Sequence, residues 1–289
     1  MPIKGRRHHL RTLKRPKRAK RVRPEAKADV HHALHAFEVS DPLDHAETDL
    51  QAYRHVQPIL TLLAKKLRLK PRELRIWDPY FCKGTVVQHM AKLGFDQVRN
   101  VNEDFYKVQE GDLPDYNVLM TNPPYSSDHL QRCLDFCRRA GKPFLLLLPC
   151  WVAKKPYFST LKPLEESMFF VVPLQRYSYT MPPDLVPASC KPSWVGEDGA
   201  TSPFLSAWYV CVPSMPNFFK AAKTVMDREG PFDCVLVKSL QASKWKLKKA
   251  GQTGEAEAPN TARAGTNKRC NKRRVASKKR TVPGTIEFD

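Results

Sequence analysis

The residues best suited to chemistry stand side by side in the chain as Asn122, Pro123, Pro124 and Tyr125. They follow an apolar run, residues 116–121, which predicts a buried strand. A proline cannot donate a hydrogen bond to a sheet, so the chain must leave the sheet at Asn122. In open α/β sheets, ligands bind at the carboxyl ends of the strands. The Asn122 side chain and the Pro123 carbonyl would then form a fixed pair of acceptors at such an end.

A fixed pair of acceptors suits a planar amine, because each oxygen accepts one N–H and the nitrogen lone pair faces an electrophile. Tyr125 adds a flat face on which a base or an amide can stack. The four residues resemble the Asn-Pro-Pro-Tyr motif of class I S-adenosylmethionine-dependent amino-methyltransferases, which methylate adenine N6, cytosine N4 or glutamine amides. The resemblance implies that all four are catalytic. An ordinary Asn-Pro turn after a strand has the same sequence, so the flanking chain must decide.

A second motif joins a predicted strand, residues 74–78, to a predicted helix, residues 85–93. A strand, an acid, a tight turn and a helix N-terminus are the parts of a nucleotide-type site. They resemble methyltransferase motif I, although Cys82 stands where the family has a glycine and the loop is one residue longer. That departure motivates an alternative, a catalytically degenerate methyltransferase fold that binds RNA. The resemblance implies S-adenosylmethionine as cofactor and these contacts to it: Asp78, Pro79, Tyr80, Cys82 and Gly84.

Two acids, Glu103 and Asp104, follow the second predicted strand, 25 and 26 residues after Asp78. Dinucleotide folds place an acid at this point on the ribose hydroxyls. The family's adenine-binding motif, an Asp-Phe pair, often lies in the same place, so both roles are open for these two residues. Asp112 is a second candidate for the adenine amine.

The resemblance assigns Thr48 a contact with the methionine part of the cofactor. Thr48 is equally well placed to cap a helix predicted over residues 49–67, with Glu47 and Asp49 near its positive end.

Two further segments supply candidate substrate contacts. Trp151, Lys154, Lys155 and Tyr157 follow a leucine-rich predicted strand at its ligand end, where they would reach phosphates unless they form a solvated face. A long loop rich in Pro, Gly and Ser, residues 176–203, begins with aromatic residues that would hold a splayed nucleotide by stacking or would simply pack in a strand. Its candidates are Arg176, Tyr177, Tyr179 and Trp194.

The formal charge of +20 is concentrated at the two ends of the chain. Residues 1–28 hold 12 Lys and Arg with one acid, and residues 244–289 hold 13 with four acids, whereas the middle has 24 of each sign. This pattern predicts a neutral body carrying two disordered basic arms that bind a polyanion in a salt-dependent way. The clusters KRPKR and KRVR are typical of nuclear or nucleolar signals, with a mitochondrial presequence as the alternative.

The alternation of strands and helices between residues 74 and 173 predicts an α/β protein. With the two motifs, it indicates the Rossmann-like class I methyltransferase fold, with a mostly parallel seven-stranded sheet and helices on both faces. The predicted domain spans residues 29–243, with an N-terminal helix within 44–73 and the core sheet within 74–212. The eight cysteines form no CxxC pair, so buried free thiols and no metal are expected, even for Cys133 and Cys137.

Together these features favour an N-methyltransferase acting on an exocyclic amine of a nucleobase in RNA, with adenine N6 of ribosomal RNA or a similar large RNA foremost. A ribosomal assembly intermediate would be its partner, and no apolar run is long enough for a membrane helix. DNA adenine methylation is the enzymatic alternative. Glutamine methylation suits the chain less, because that substrate needs no polycationic arms. All of these enzymatic hypotheses require Asn122 and the Asp78 loop to line the same cavity.

Overall fold

The structure is a computed structural model that describes residues 42–108, 113–180 and 204–242. The predicted arms, 1–28 and 244–289, lie outside the described residues, as do Asp112, Trp194 and most of the predicted loop.

Nine strands of the described residues form two sheets. A two-stranded antiparallel sheet pairs β1 with β7, and the main sheet has seven strands in the order β3-β2-β4-β5-β8-β6-β9. The strand bounds are β1 Glu47–Thr48, β2 Ile76–Trp77, β3 Val98–Arg99, β4 Val118–Thr121, β5 Phe144–Pro149, β6 Met168–Pro173, β7 Tyr179–Thr180, β8 Ser206–Cys211 and β9 Cys234–Val237.

Five of the seven strands in the main sheet run in the same direction. β3, β2, β4 and β5 are joined by parallel pairs. β8 is antiparallel to both β5 and β6, so β6 runs parallel to β5, and only β8 and β9 are reversed. The reversed strand β8 lies between the parallel strands β5 and β6. This insertion of one antiparallel strand near the end of the sheet is typical of the Rossmann-like class I methyltransferase fold. The predicted fold is confirmed.

Within the part of the chain that the structure describes, four α-helices cover the sheet: α1 Leu50–Lys66, α2 Thr85–Lys92, α3 His129–Ala140 and α4 Phe218–Glu229. One core joins α1, α2 and α4 to one face of the sheet. The other face packs against α3 and against two 3-10 segments, Cys150–Lys154 and Pro156–Ser167. Helices therefore lie on both faces, as predicted, and β5 is buried along its whole length, as its unbroken apolar run indicates.

The seventh strand of the main sheet comes from an unexpected part of the chain. β9 lies beyond the core sheet predicted over residues 74–212. The described residues between β3 and β4 form a turn at 105–107 and no strand. The edge of the sheet next to β3 is therefore short, and the added strand extends the opposite edge.

The start of α1 corrects the prediction for Thr48. Asp49 is the N-cap, and its carboxylate accepts a hydrogen bond from the Gln51 N–H at 3.0 Å. Thr48 instead belongs to β1, where it pairs with Tyr179. The prediction that Thr48 caps the helix is wrong, because the chain is still extended at that residue.

Tyr177 and Tyr179 also depart from their predicted role. They are only 3% and 7% exposed, and both belong to the core that packs against α1. The Tyr177 hydroxyl lies 2.9 Å from Nδ1 of His55, and burial lowers the pKa of His55 to about 4. Neither ring can stack on a nucleotide without leaving the core, so assigning them to substrate binding is wrong.

The contact between Tyr177 and His55 generates a stability prediction. Tyr177→Phe removes the hydroxyl and leaves a buried imidazole nitrogen without its partner, which should lower the free energy of unfolding by about 1–3 kcal/mol. Urea denaturation measures this change. Tyr157→Phe is the control, because the half-buried Tyr157 hydroxyl makes no hydrogen bond within the described chain. Equal losses in both variants would show that the contact with His55 contributes nothing.

Candidate active site

A cleft lies at the carboxyl ends of β2 and β4, between the loops that follow them and a strap, which we define as residues 44–48. It holds about 480 Å³ of atom-free space, part of it open to solvent. Asn122 and Asp78 both line it, which is the arrangement that the two motifs require. The full lining is Asp44, Ala46, Glu47, Thr48, Tyr53, Asp78, Tyr80, Phe81, Cys82, Gly84, Thr85, Val86, Asn100, Asn122 and Pro124.

Asp78 supplies a buried carboxylate to the cleft. It directly follows β2 and is 6% exposed. Its Oδ1 accepts hydrogen bonds from the Tyr80 N–H at 3.2 Å and from the Thr121 hydroxyl at 2.6 Å. Burial raises the pKa of Asp78 to about 7, although these two hydrogen bonds act in the opposite direction. Its Oδ2 accepts no hydrogen bond from the described residues, so it is available to a ligand.

Asn100 is a site residue that the sequence analysis missed. It directly follows β3, and its Nδ2 donates to the backbone carbonyls of Asp78 at 3.1 Å and Tyr80 at 3.3 Å. Its Oδ1 is buried with no hydrogen-bond partner among the described residues. Asn100 therefore presents a fixed acceptor at the end of the second parallel strand. Its position directly after that strand is the signal that could have identified it.

Glu103 and Asp104, the acids predicted for this place, lie outside the cleft lining. Glu103 forms an ion pair with Arg99 at 3.0 Å. Asp104 accepts a hydrogen bond from the Tyr106 N–H at 2.9 Å. The sequence predicts a strand over residues 98–101, but β3 ends at Arg99. Both acids therefore lie several residues beyond the end of the strand.

The loop between β2 and α2 turns at Gly84, whose φ of +79° is strained for any residue with a side chain. Cys82, in the family's glycine position, directs its thiol to the backbone carbonyl of His45 in the strap. Burial raises the pKa of Cys82 to about 12, so the thiol stays protonated. Pro79 is buried in the same loop. Cys82 thus ties the loop to the strap.

Two carboxylates of the strap bind N–H groups of the two motifs. Glu47 accepts hydrogen bonds from the Lys83 N–H at 2.9 Å and the Thr85 N–H at 3.4 Å, and from the Thr85 hydroxyl. Glu47 thus lies at the N-terminus of α2, not at that of α1, where the sequence analysis placed it.

Asp44 makes the equivalent contact at the other motif. It accepts hydrogen bonds from the Tyr125 N–H at 3.0 Å, the Ser126 N–H at 3.2 Å and the Ser126 hydroxyl. The strap therefore bridges the Asp78 loop and the Asn-Pro-Pro-Tyr segment. Neither contact was predicted, because no short-range pattern links residues so far apart in the chain.

Tyr125 positions Asn122. Its hydroxyl lies 2.6 Å from Asn122 Oδ1 and 3.1 Å from the Leu147 carbonyl oxygen. An amide oxygen has two lone pairs, so Asn122 can still accept one hydrogen bond from an amine. The Tyr125 ring packs at a tilt against Phe204, with centroids 5.7 Å apart, and does not line the cleft, whereas Pro124 does. Pro123 is buried beside it.

A chain of aromatic hydroxyls connects the cleft to α3. The Tyr80 and Tyr106 hydroxyls are 2.8 Å apart, and the Tyr106 hydroxyl lies 2.5 Å from Nδ1 of His129. Arg132 lies over the Tyr106 ring, 3.4 Å from its centroid. These contacts fix the Asp78 loop against the helix that follows the Asn-Pro-Pro-Tyr segment.

The other predicted substrate residues lie outside the cleft lining. Trp151, Lys154, Lys155 and Tyr157 occupy the 3-10 segments after β5 and the residue between them, and Lys155 Nζ lies 5.2 Å from the centroid of the Trp151 ring. Arg176 is exposed. The four residues that follow β5 are on a segment that starts at the carboxyl end of that strand. Because β4 and β5 are parallel, this segment starts at the same edge of the sheet as the cleft.

The described cysteines do not form a metal site. Cys133 and Cys137 are buried free thiols, as predicted. Within residues 42–108, 113–180 and 204–242, no three His, Cys, Asp or Glu side chains are grouped closely enough to hold a metal ion. That same part of the chain has no helix with the length and apolar character needed to cross a bilayer.

The sequence matches no protein-family model and no curated protein. Among solved structures it is similar to a probable spermidine synthase from Corynebacterium glutamicum. That similarity has a TM-score of 0.38 and 10% sequence identity, and it covers 72% of this chain and 81% of that chain. Such a distant likeness carries no functional argument, and the fold assignment rests on the strand order.

The pKa of Asp78 generates a prediction about pH. The carboxyl ionises near 3.8 in the unfolded chain but near 7 in the folded protein. The folded state therefore loses stability as the pH rises from about 4 to about 7, and the loss is complete above that range. Asp78→Asn keeps the Oδ1 acceptor and removes the charge, so it should be more stable than the wild type at pH 8, by on the order of 4 kcal/mol.

Urea denaturation at pH 8 and pH 5 tests this expectation. The gain from Asp78→Asn should be clearly smaller at pH 5, where the native carboxyl is still mostly protonated. A gain of the same size at both pH values would contradict the raised pKa.

Proposed function

We propose that this protein is an S-adenosylmethionine-dependent N-methyltransferase that acts on an exocyclic amine of a nucleobase in RNA. The observation that supports it most is that Asn122 and the Asp78 loop line the same cleft at the carboxyl edge of the sheet. An amine acceptor pair is useful only if an electrophile is held next to it, and the adjacent loop has the form of a nucleotide-type site.

The cofactor fits the polar groups of this cleft. Asp78 Oδ2 and Asn100 Oδ1 are acceptors without partners among the described residues, so they suit the hydroxyl and ammonium donors of a nucleoside linked to an amino acid. Thr48 and Tyr80 line the same wall, and Gly84 lets the backbone turn beneath it. When bound, the cofactor would supply a methyl group made electrophilic by its sulfonium.

Asn122 and Pro123 orient the amine. The free lone pair of Asn122 Oδ1 accepts one N–H. The carbonyl of Pro123, a buried residue outside the lining of the cleft, would accept the other once the amine is bound. Tyr125 holds the Asn122 amide in place through its hydroxyl, which replaces the stacking role that the sequence suggested. Catalysis is then mainly orientation and charge placement, and no strong general base is required. The amine loses its proton after the nitrogen has become tetrahedral.

RNA is the favoured substrate because of the charge distribution. Two basic arms on a neutral body give affinity for a polyanion without sequence preference. Unpaired bases in a large folded RNA, such as a ribosomal precursor in an assembly intermediate, are exposed at little energetic cost. Adenine N6 is the proposed target, and the nucleolar-type clusters in the first arm favour the nucleus.

Labelled methyl transfer tests the function. The wild type should transfer label from S-adenosylmethionine to total RNA more than to DNA or protein. Asn122→Ala should lower kcat by about 100-fold or more while cofactor affinity, measured by calorimetry, stays unchanged, because it removes orientation of the amine and not the cofactor site. Asp78→Ala should instead abolish cofactor binding.

Other outcomes separate the alternatives. Label in DNA adenine alone indicates a DNA methyltransferase, and label in protein alone overturns the nucleic-acid substrate. No binding of the cofactor even at millimolar concentration would identify a degenerate fold that serves as an RNA-binding scaffold.

Tyr125→Phe tests the positioning of Asn122. The variant loses the hydroxyl that contacts both Asn122 and Leu147, so we expect kcat to fall by about tenfold or more with cofactor affinity unchanged. A ring that acted by stacking on the base would be preserved by phenylalanine. Unaltered kcat in this variant, with a large loss in Tyr125→Ala, would therefore favour stacking over positioning.

A further inference from the structure

The start of α2 already carries a carboxylate, and it belongs to the protein itself. The first N–H groups of a helix have no partner within the helix and attract anions. Here Glu47 takes the N–H groups of Lys83 and Thr85 together with the Thr85 hydroxyl. Glu47 and Thr85 both line the cleft that the proposed function assigns to the cofactor, and Lys83 is adjacent in the chain to the lining residues Cys82 and Gly84.

Elsewhere in the same cleft, two acceptor oxygens lack hydrogen-bond donors. Asp78 is more than nine-tenths buried, and its Oδ2 has no hydrogen bond among the described residues. Asn100 Oδ1 is buried and lacks a partner there as well. These two acceptors thus lack hydrogen-bond donors among the described residues. The N–H donors at the start of α2, in contrast, are already bonded to Glu47. A ligand carrying ammonium, hydroxyl and carboxylate groups would match the acceptors and compete with Glu47.

Charge in the lining strengthens this competition. The described residues that line the cleft include Asp44, Glu47 and Asp78 but no Lys or Arg. A ligand carboxylate would meet like charges unless one acid moved away. Glu47 and Asp44 both hold N–H groups, but only the partners of Glu47 include a residue of the cleft lining, Thr85. Glu47 is therefore the group that such a carboxylate would replace.

We propose that Glu47 is a built-in competitor that the carboxylate of the methyl donor must displace from the N–H groups of Lys83 and Thr85. Displacement of the Glu47 side chain would loosen the contact between the strap and the Asp78 loop, while the pairing of Glu47 with Thr180 is kept. This inference rests on the proposed function, because it takes the donor to be S-adenosylmethionine, and it adds a regulatory contact to that site.

Displacement would reach the second motif. Two residues of the strap, His45 and Glu47, contact the Asp78 loop, and Asp44 binds the N–H groups of Tyr125 and Ser126. Asp44 and Glu47 are three residues apart, so a shift of Glu47 would also move the segment that carries Asp44. Donor binding is thereby coupled to the segment that carries Asn122.

Calorimetric titration of the full-length protein tests the competition with two ligands. One is S-adenosylmethionine, and the other is the same sulfonium nucleoside without its carboxylate, decarboxylated S-adenosylmethionine. Glu47→Ala should bind S-adenosylmethionine about tenfold more tightly than the wild type, the factor for one charge-assisted hydrogen bond no longer in competition. The affinity for the decarboxylated ligand should change by less than about twofold, because it has nothing to compete with Glu47.

Two further variants test the charge of Glu47 and provide a control acid outside the cleft. Glu47→Gln keeps the shape of the side chain and removes its charge, so it should give a smaller gain in the same direction and guards against misfolding of the Ala variant. Glu165→Gln, at an exposed acid outside the cleft, should leave both affinities unchanged.

The remaining outcomes overturn the inference in distinguishable ways. If both Glu47 variants bind S-adenosylmethionine more weakly, Glu47 is a ligand contact and not a competitor, and the proposed function stands. If the two ligands gain equally, the effect belongs to the general charge of the cleft and not to competition for the N–H groups. If neither ligand binds any variant, the proposed function fails together with the inference.

Discussion

The parallel pairing of β2 with β4 is the constraint on which the site depends. Ile76 lies opposite Val118 and Trp77 opposite Leu119, so the two strands end at the same edge of the sheet. That register brings Asp78 next to Thr121, whose hydroxyl donates to the Asp78 carboxylate at 2.6 Å. Asn122 directly follows Thr121, so the same register places it at the cleft next to the Asp78 loop.

The strap gives the cleft a property that the sheet alone would not. Its pairing with β7 places Asp44 and Glu47 over the two loops, and each acid satisfies N–H groups that the loops cannot bond internally. Carboxylates so placed stabilise the closed arrangement, but they also occupy polar groups that a ligand could use. In the competition proposed for Glu47, the stability from the strap contacts and the affinity for a carboxylate-bearing ligand oppose each other.

Much of the fold and part of the site follow from short-range patterns. The apolar run that became β5 and the break imposed by Pro123 and Pro124 both depend on nearby residues. Parallel strands align their carboxyl ends, so the cavity shared by Asn122 and Asp78 was predictable. The role of Tyr177 was not, because an aromatic residue after a strand suits a core and a stacking surface equally well, and only its packing against His55 distinguishes them.

The sequence by itself determined which residues end the strands, since proline removes a donor and a buried strand needs continuous apolar side chains. It thereby determined that an amide and a carboxylate meet at one edge of the sheet. Only the tertiary structure decided what faces them, namely Asn100 in place of the expected acids and Glu47 at the start of α2. The physical reason is that such contacts join segments tens of residues apart, and their geometry depends on where β3 ends and on which strand pairs with the strap.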